Sequence, residues 1–402
     1  MELMDKMNVK QAILLCGKEK SLSRRHPWLF SGALKTVEKG VQEGDVVRVL
    51  SGNGEFLCLG LWQSGSIAVK ILSFDDVEIN YDFILERVQK AVELRCLCGL
   101  FEDKETTIFR LVNGEGDFLP SLIADYYDGL LVVQFHSVGM WRLKEEIVKA
   151  FRQVLQSACK AVFSKSSSTL PKQGGVHAKD EFLFGNLPED WFAKENGLTY
   201  RIDYALGQKT GFFIDQRENR RLVGEYAKGR RVLNAFAYTG GFSLSALKGG
   251  AKELVSLDIS ARAVEICEKN AEMNFPQNGI HRGEVADVLD YLDSLEKGRF
   301  DLIILDPPAF AKHQRNLQQA LKGYRTINQK AMEKIAGGGL LFTFSCSQAV
   351  SKDDFATMLF SCAALSGRKV RIIKQLAPGA DHPQSIFHPE GCYLKGTLLY
   401  VE

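Results

Sequence analysis

The sequence predicts an α/β protein in three parts: a small N-terminal β-barrel, a central α+β domain, and a C-terminal domain on a mainly parallel, doubly wound sheet. Three observations predict it. Short β-rich runs punctuated by Gly, Asn and Ser fill residues 8–73. A hairpin signal followed by an amphipathic stretch occupies the middle. From about residue 205 onward, strand and helix patterns alternate, as in βαβ units with a parallel sheet.

In the first part, Val46–Leu50 precedes the turn Ser51-Gly52-Asn53-Gly54, and Phe56–Trp62 follows it. A second turn, Ser64-Gly65-Ser66, leads into Ile67–Leu72. Strands at this spacing suggest a small barrel, residues 1–74. The central domain, 75–190, opens with a helix over Phe83–Cys96. Leu122–Tyr126 and Leu130–Phe135, joined by Asp128-Gly129, read as a hairpin. An amphipathic helix is expected from Trp141 to Ser157, then a mobile loop over the Ser/Lys/Gly-rich Lys165–Gly175. Gly185–Gly197 reads as a connector.

The last domain, 191–402, is expected to place strands at Val232–Phe236, Glu253–Leu257, Asp301–Leu305, Leu340–Phe344, Val370–Leu376 and Thr397–Val401. Helices are expected from Gly241, over Ala261–Asn274 and over Leu317–Ile335.

Composition sets limits. The chain has 402 residues, 45% hydrophobic and 25% charged, which suits a globular protein of two or three domains. No apolar run approaches the roughly 18 residues of a membrane helix. The opening Met1-Glu2-Leu3-Met4-Asp5-Lys6 is charged, so the expected compartment is the cytoplasm. Nine cysteines contain no CxxC pair, and the Cys96/Cys98 spacing is unusual for zinc; reduced thiols and no metal site are expected. Net charge is only +2, although residues 1–40 carry eight Lys or Arg against four acids, a bias suited to phosphates or a solvated surface.

Asn234-Ala235-Phe236-Ala237-Tyr238-Thr239-Gly240-Gly241 follows the first strand of the C-terminal domain. Paired glycines permit close backbone approach to a ligand. The pattern is not G-x-G-x-x-G, so a pyrophosphate cofactor is poorly supported. Asp258 ends the second strand, where an acid can accept hydrogen bonds from ribose hydroxyls. Asp287 sits where a third strand would end. The alternative reading makes the glycines a simple turn and Asp258 a helix cap.

With Asp306-Pro307-Pro308, these segments resemble successive motifs of the class I S-adenosylmethionine-dependent methyltransferases, which have a Rossmann-like, seven-stranded sheet. More narrowly, the chain resembles the 23S ribosomal RNA 5-methylcytosine methyltransferases with an N-terminal PUA domain. The likeness runs nearly end to end, through Ser23–Gly32, Arg110–Asp117 and Gly207–Arg217. It implies S-adenosylmethionine as cofactor, held by Gln216, Asn234, Phe236, Tyr238, Thr239, Gly240, Asp258, Ile259, Asp287 and Asp306. It also implies RNA as partner, with 23S ribosomal RNA the expected target, and allows a homodimer.

The chemistry then has candidates. Asp306 and Cys346 each follow an apolar run that reads as a buried strand, and the carboxyl ends of such strands face the ligand crevice. Cytosine C5 is a poor nucleophile; a thiolate added at C6 turns it into an enamine-like carbon able to take a methyl group. Cys346, in Ser345-Cys346-Ser347, matches the family's cysteine motif, and Asp306 is expected either to bind the N3/N4 edge of the base or to cap the next helix. The other reading of a strand-end cysteine is a small buried hydrophobe. Ala309 stands where many RNA members carry a second cysteine, so the group that removes the C5 proton is unassigned.

Asp-Pro-Pro with a nearby aromatic also resembles exocyclic-amine methyltransferases, making a guanine or amine enzyme one competitor. An inert RNA-binding or assembly factor is the other. Candidate RNA contacts are Arg24, Arg25, His26, Arg217 and Lys312, each weighed against a structural or solvated role.

Overall fold

The computed structural model describes residues 9–172, 175–311 and 314–402. They form two compact units. One is drawn from Met1–Trp191, Ile202–Phe212 and Ala380–Gly391, the other from Phe192–Arg201, Phe213–Gly379 and Cys392–Glu402. No helix among the described residues is long and apolar enough to cross a membrane.

The first unit holds two sheets. The N-terminal one has six strands, ordered Trp28–Phe30, Ile67–Ser73, Phe56–Trp62, Val46–Leu50, Lys10–Leu14, Leu34–Val37. Its core is a cluster of Leu14, Leu29, Val47, Val49, Val69 and neighbours. The second sheet has five strands, from Glu181–Phe184 to Ile108–Asn113, covered by helices Tyr81–Leu97 and Lys144–Leu155. The expected hairpin is present as Leu122–Tyr127 and Leu130–Phe135, and its Asp128 and Gly129 both have positive φ (49° and 99°). That is the conformation a type I′ turn requires.

A fully buried guanidinium ties this unit together. Arg95 donates to both oxygens of Asp117 (2.5 and 2.9 Å), to the Arg110 carbonyl and to the Asp381 carbonyl. The helix expected over 141–157 is instead two: Val138–Arg142, capped by the Ser137 hydroxyl, and Lys144–Leu155. The stretch read as a mobile loop is anchored at its start. Ser166 is fully buried, its hydroxyl accepting from the Phe135 amide, and Leu170 is also buried.

In the second unit, β1 (Arg231–Ala235), β2 (Glu253–Asp258), β3 (His281–Val285), β4 (Leu302–Leu305), β5 (Gly339–Ser345), β6 (Val370–Leu376) and β7 (Lys395–Val401) form one sheet. Its order is β3-β2-β1-β4-β5-β7-β6. The first five are parallel, whereas β7 runs antiparallel to both β5 and β6. The central strands are buried on both faces, which is why Leu302–Leu305 reads as a continuous apolar run. Helices α1 (Arg217–Tyr226), α2 (Gly241–Lys248), α3 (Ala261–Asn274), α4 (Val288–Ser294), α5 (Leu317–Lys334) and α6 (Lys352–Ser366) complete the unit. The expected connector contains a further hairpin: Trp191–Glu195 pairs with Leu198–Ile202 across Asn196 and Gly197.

Candidate active site

Parallel pairing brings the carboxyl ends of β1, β2, β4 and β5 to one edge of the sheet, and the candidate residues follow from that register. Leu305 is paired with Thr343, so the residues just beyond β4 and β5 are neighbours. Cys346 is partly exposed, and its Sγ lies 3.8 Å from the Pro307 carbonyl. The thiol is therefore on the Asp306-Pro307-Pro308 segment, as the two strand ends imply. By contrast Cys58, Cys159, Cys267 and Cys362 are buried, and burial raises each of their thiols (Cys58 to about 12, the other three to about 11).

Asp306 is held from the other side. Gln216 Nε2 donates to its Oδ1 at 3.0 Å, and Asn219 Nδ2 donates to Gln216 Oε1 at 2.6 Å. Asn219 also donates to the Ala377 carbonyl. This chain fixes the amide orientation of Gln216 and turns its donor end to the carboxylate. The segment leading in is clamped by Arg220, which donates to both oxygens of buried Glu195 (2.6 Å each) and to the Phe213 carbonyl. Tyr393 donates its hydroxyl to Asp215 at 2.7 Å.

The loop after β1 is conformationally unusual. Phe236 (φ 63°), Tyr238 (φ 47°) and Gly240 (φ 88°) all occupy the left-handed region, which non-glycine residues enter at a cost. Asp258 holds it in place: Oδ2 accepts from the Tyr238 amide and Oδ1 from the Ser260 amide, both at 2.9 Å. A Cβ on Gly240 would lie 2.5 Å from Cys267 Sγ, so α3 packs too closely there for any side chain. Thr239 is buried and its carbonyl accepts from Asn270. The Phe213 ring meets Tyr238 edge-on at 5.1 Å.

Behind this loop, Asn234 donates to Ser243, which contacts Ser256, which in turn contacts His281. Burial lowers the His281 pKa, favouring a neutral ring in the relay. Asn234 is fully buried, and its Oδ1 has no hydrogen-bond partner among the described residues. An orphaned acceptor at a strand end is the kind of group a bound ligand would satisfy.

Other expected residues take different places. Ile259 is 73% exposed, an apolar face next to Asp258 on which a flat ring can rest. Asp287 is exposed and caps α4, its Oδ1 accepting from Leu289 and Asp290 amides. These features fit a nucleoside cofactor: a strained loop, a carboxylate at the end of β2, an exposed aliphatic, and an unsatisfied buried acceptor.

The RNA contacts expected from sequence lie in different settings. Arg217 is 3% exposed and pairs with Glu218 at 3.3 Å, the carboxylate pairing that was the other expectation for it. His26 is also engaged: its Nε2 is 3.3 Å from Glu390, and its ring lies edge-on to Trp28 and His388. Arg24 and Arg25 are exposed, with the Arg25 guanidinium 5.6 Å above the Phe74 ring. Lys312 lies outside the described residues. Sequence reasoning missed Asn219, Glu195, Arg220 and Lys395, each of which has at least one partner far off in the chain.

Comparison with known proteins agrees with this fold. A family profile described as S-adenosylmethionine-dependent methyltransferase matches residues 109–383, and a PUA-like domain profile matches residues 13–74. The chain is 38% identical over 393 residues to a ribosomal RNA large subunit methyltransferase I of Aeromonas salmonicida, covering 96% of this chain and 98% of the relative. The enzyme of the same name from Tolumonas auensis is 37% identical over 388 residues, covering 95% and 97%. Among solved structures, a SAM-dependent methyltransferase assigned in Streptococcus mutans superposes with a TM-score of 0.83 at 24% identity, covering 97% of this chain and all of that one. Another, solved in complex with SAH, gives a TM-score of 0.84 at 24% identity and the same coverage.

Proposed function

The chain belongs to the S-adenosylmethionine-dependent methyltransferase family represented by the ribosomal RNA large subunit methyltransferases I, and from that premise we propose that it methylates C5 of a cytosine in large-subunit ribosomal RNA through a transient bond to Cys346. The observation that carries the reading is the placement of Cys346 Sγ against the Pro307 carbonyl, on the segment that begins with Asp306.

S-adenosylmethionine supplies an electrophilic methyl group on a positively charged sulfur. Asp258 would hold the ribose hydroxyls, Ile259 the face of the adenine and Asp287 its edge, with Phe236, Tyr238, Thr239 and Gly240 forming the loop beneath. Asn234, held by its hydrogen bond to Ser243, would offer its unpaired Oδ1 to the cofactor. The Cys346 thiolate adds to C6 of the cytosine, forming the C–S bond and moving an electron pair to C5. Asp306, oriented by Gln216, would accept from the N4 amine at the N3/N4 edge and so fix the ring for attack at C6. After C5 gains its methyl, the C5 proton passes to solvent, the C5–H pair forms the C5=C6 bond and the C6–S pair leaves with the sulfur as thiolate.

The target base must leave its stack to reach a sheet edge. We assign 1–74 to RNA grip, 75–190 to its support and 191–402 to methyl transfer, in a cytoplasmic protein. Arg24 and Arg25 are the surface contacts retained. Exposed Phe360, Leu365 and Ile372 on α6 and β6 suit self-association as a homodimer, which light scattering would check. The guanine and amine reading leaves the partly exposed Cys346 thiol without a task. Nucleoside mass spectrometry of ribosomal RNA treated with the protein tests the function: 5-methylcytidine is expected, and a methylated guanosine or adenosine would refute it.

A further inference from the structure

Lys395 is 4% exposed, yet it carries an amine at the rim of the site. It opens β7, where antiparallel pairing sets it directly opposite Ser345, the residue before Cys346. Its Nζ donates to the Ser347 and Tyr393 carbonyls, both at 2.6 Å, and so lies beside the turn that carries Cys346. Among the described residues no carboxylate forms an ion pair with it, and the third N–H finds no protein acceptor. A buried ammonium without an anion is expensive, and proteins rarely keep one without a use.

The groups that act on it electrostatically are few. Cys346, Cys392 and, on α6, Asp354 and Lys352 are those groups, and the thiolate forms of both cysteines would favour its charge. Burial is the largest influence and brings the amine down to about 8, so most of it remains protonated at neutral pH. Around Cys346 itself stand the Pro307 carbonyl and Tyr324, whose hydroxyl is 2.8 Å from Ser347 Oγ.

We propose that Lys395 is the counter-cation of the Cys346 thiolate, a positioning residue that holds the sulfur in its nucleophilic form. The thiol proton passes to solvent while the ammonium keeps its three protons, and the ion pair replaces the missing carboxylate. The idea rests on reading Cys346 as the nucleophile. A purely structural lysine would brace the turn after β5 and leave the sulfur's ionisation unchanged.

The test needs neither RNA nor cofactor. In the full-length Cys392→Ser protein, the rate of Cys346 alkylation by iodoacetamide is followed across pH by peptide mass spectrometry, with and without Lys395→Met. A neighbouring cation lowers a thiol below its ordinary value of about 8.5. The expected result is a profile moved upward by about one pH unit in Lys395→Met, with alkylation about tenfold slower at neutral pH. Coincident profiles would overturn the proposal. Should Lys395→Met not fold, the reciprocal measurement stands in: Cys346→Ser should lower the titration of the Lys395 amine seen by NMR, and an unmoved titration would overturn it equally. A shifted alkylation profile together with full methylation by Cys346→Ala would leave the ion pair standing and remove its catalytic purpose.

Discussion

Gln216 and Asp306, ninety positions apart in the chain, meet through a 3.0 Å hydrogen bond from amide to carboxylate. The Gln216 side chain is itself gripped by Asn219, so the carboxylate is presented at the strand end in a fixed orientation. Loss of a hydrogen bond to a charged group costs about 1.5–3 kcal/mol. Gln216→Ala should therefore slow single-turnover methyl transfer by about ten- to a hundredfold. A rate within twofold of the parent would separate Gln216 from the chemistry.

Asp258 serves two structural amides, and in the proposed function it also holds the ribose of the cofactor. Its replacement by Ala should weaken S-adenosylmethionine binding at least tenfold, about 1.4 kcal/mol, in a calorimetric titration. Unchanged affinity would contradict the assignment.

Arg95 and Asp117 form a buried pair whose guanidinium also reaches the Asp381 carbonyl. Removing one partner strands the other charge in the interior. Arg95→Met should lower unfolding free energy by about 3–5 kcal/mol in denaturant titration. A loss below about 1 kcal/mol would mean water reaches Asp117 in the variant.

Activity should fall at alkaline pH. The Lys395 amine is brought down to about 8, mainly by burial, so its charge is lost as pH rises through that value. If the charge supports the thiolate, kcat/KM should rise with thiol ionisation and then decline with a midpoint about 8. For stability the sign is opposite. Between about 8 and 10.4 the unfolded chain still binds the proton, so this group's contribution to folding grows with pH. A falling limb in activity without a fall in stability separates the two effects. A flat alkaline profile would count against the role of Lys395.

Much of this was legible in the sequence because the physics is local. Strands buried on both faces read as apolar runs, so the ends of β4 and β5, and hence Asp306 and Cys346, could be placed in advance. Helix α3 spans Ala261–Asn274 as expected, its start marked by the Ser260 cap. Helix α6 was missed because Phe355, Leu359, Phe360 and Leu365 leave it without a clear polar face. The hairpin at 191–202 was overlooked even though Asn196-Gly197 is a strong turn signal. The burial of Arg217 was not legible, since local sequence says nothing about which wall an arginine meets. Lys395 was hidden for the same reason: it reaches back 48 residues to Ser347.

The covalent step is tested most directly with RNA carrying 5-fluorocytidine, in which fluorine replaces the proton that must leave. With S-adenosylmethionine present, the wild-type protein should accumulate a denaturation-stable complex with this RNA, and mass spectrometry should map the linkage to Cys346. Cys346→Ala should form none and should produce no 5-methylcytidine on ordinary RNA. A methylating Cys346→Ala protein, or a crosslink at another residue, would contradict the account.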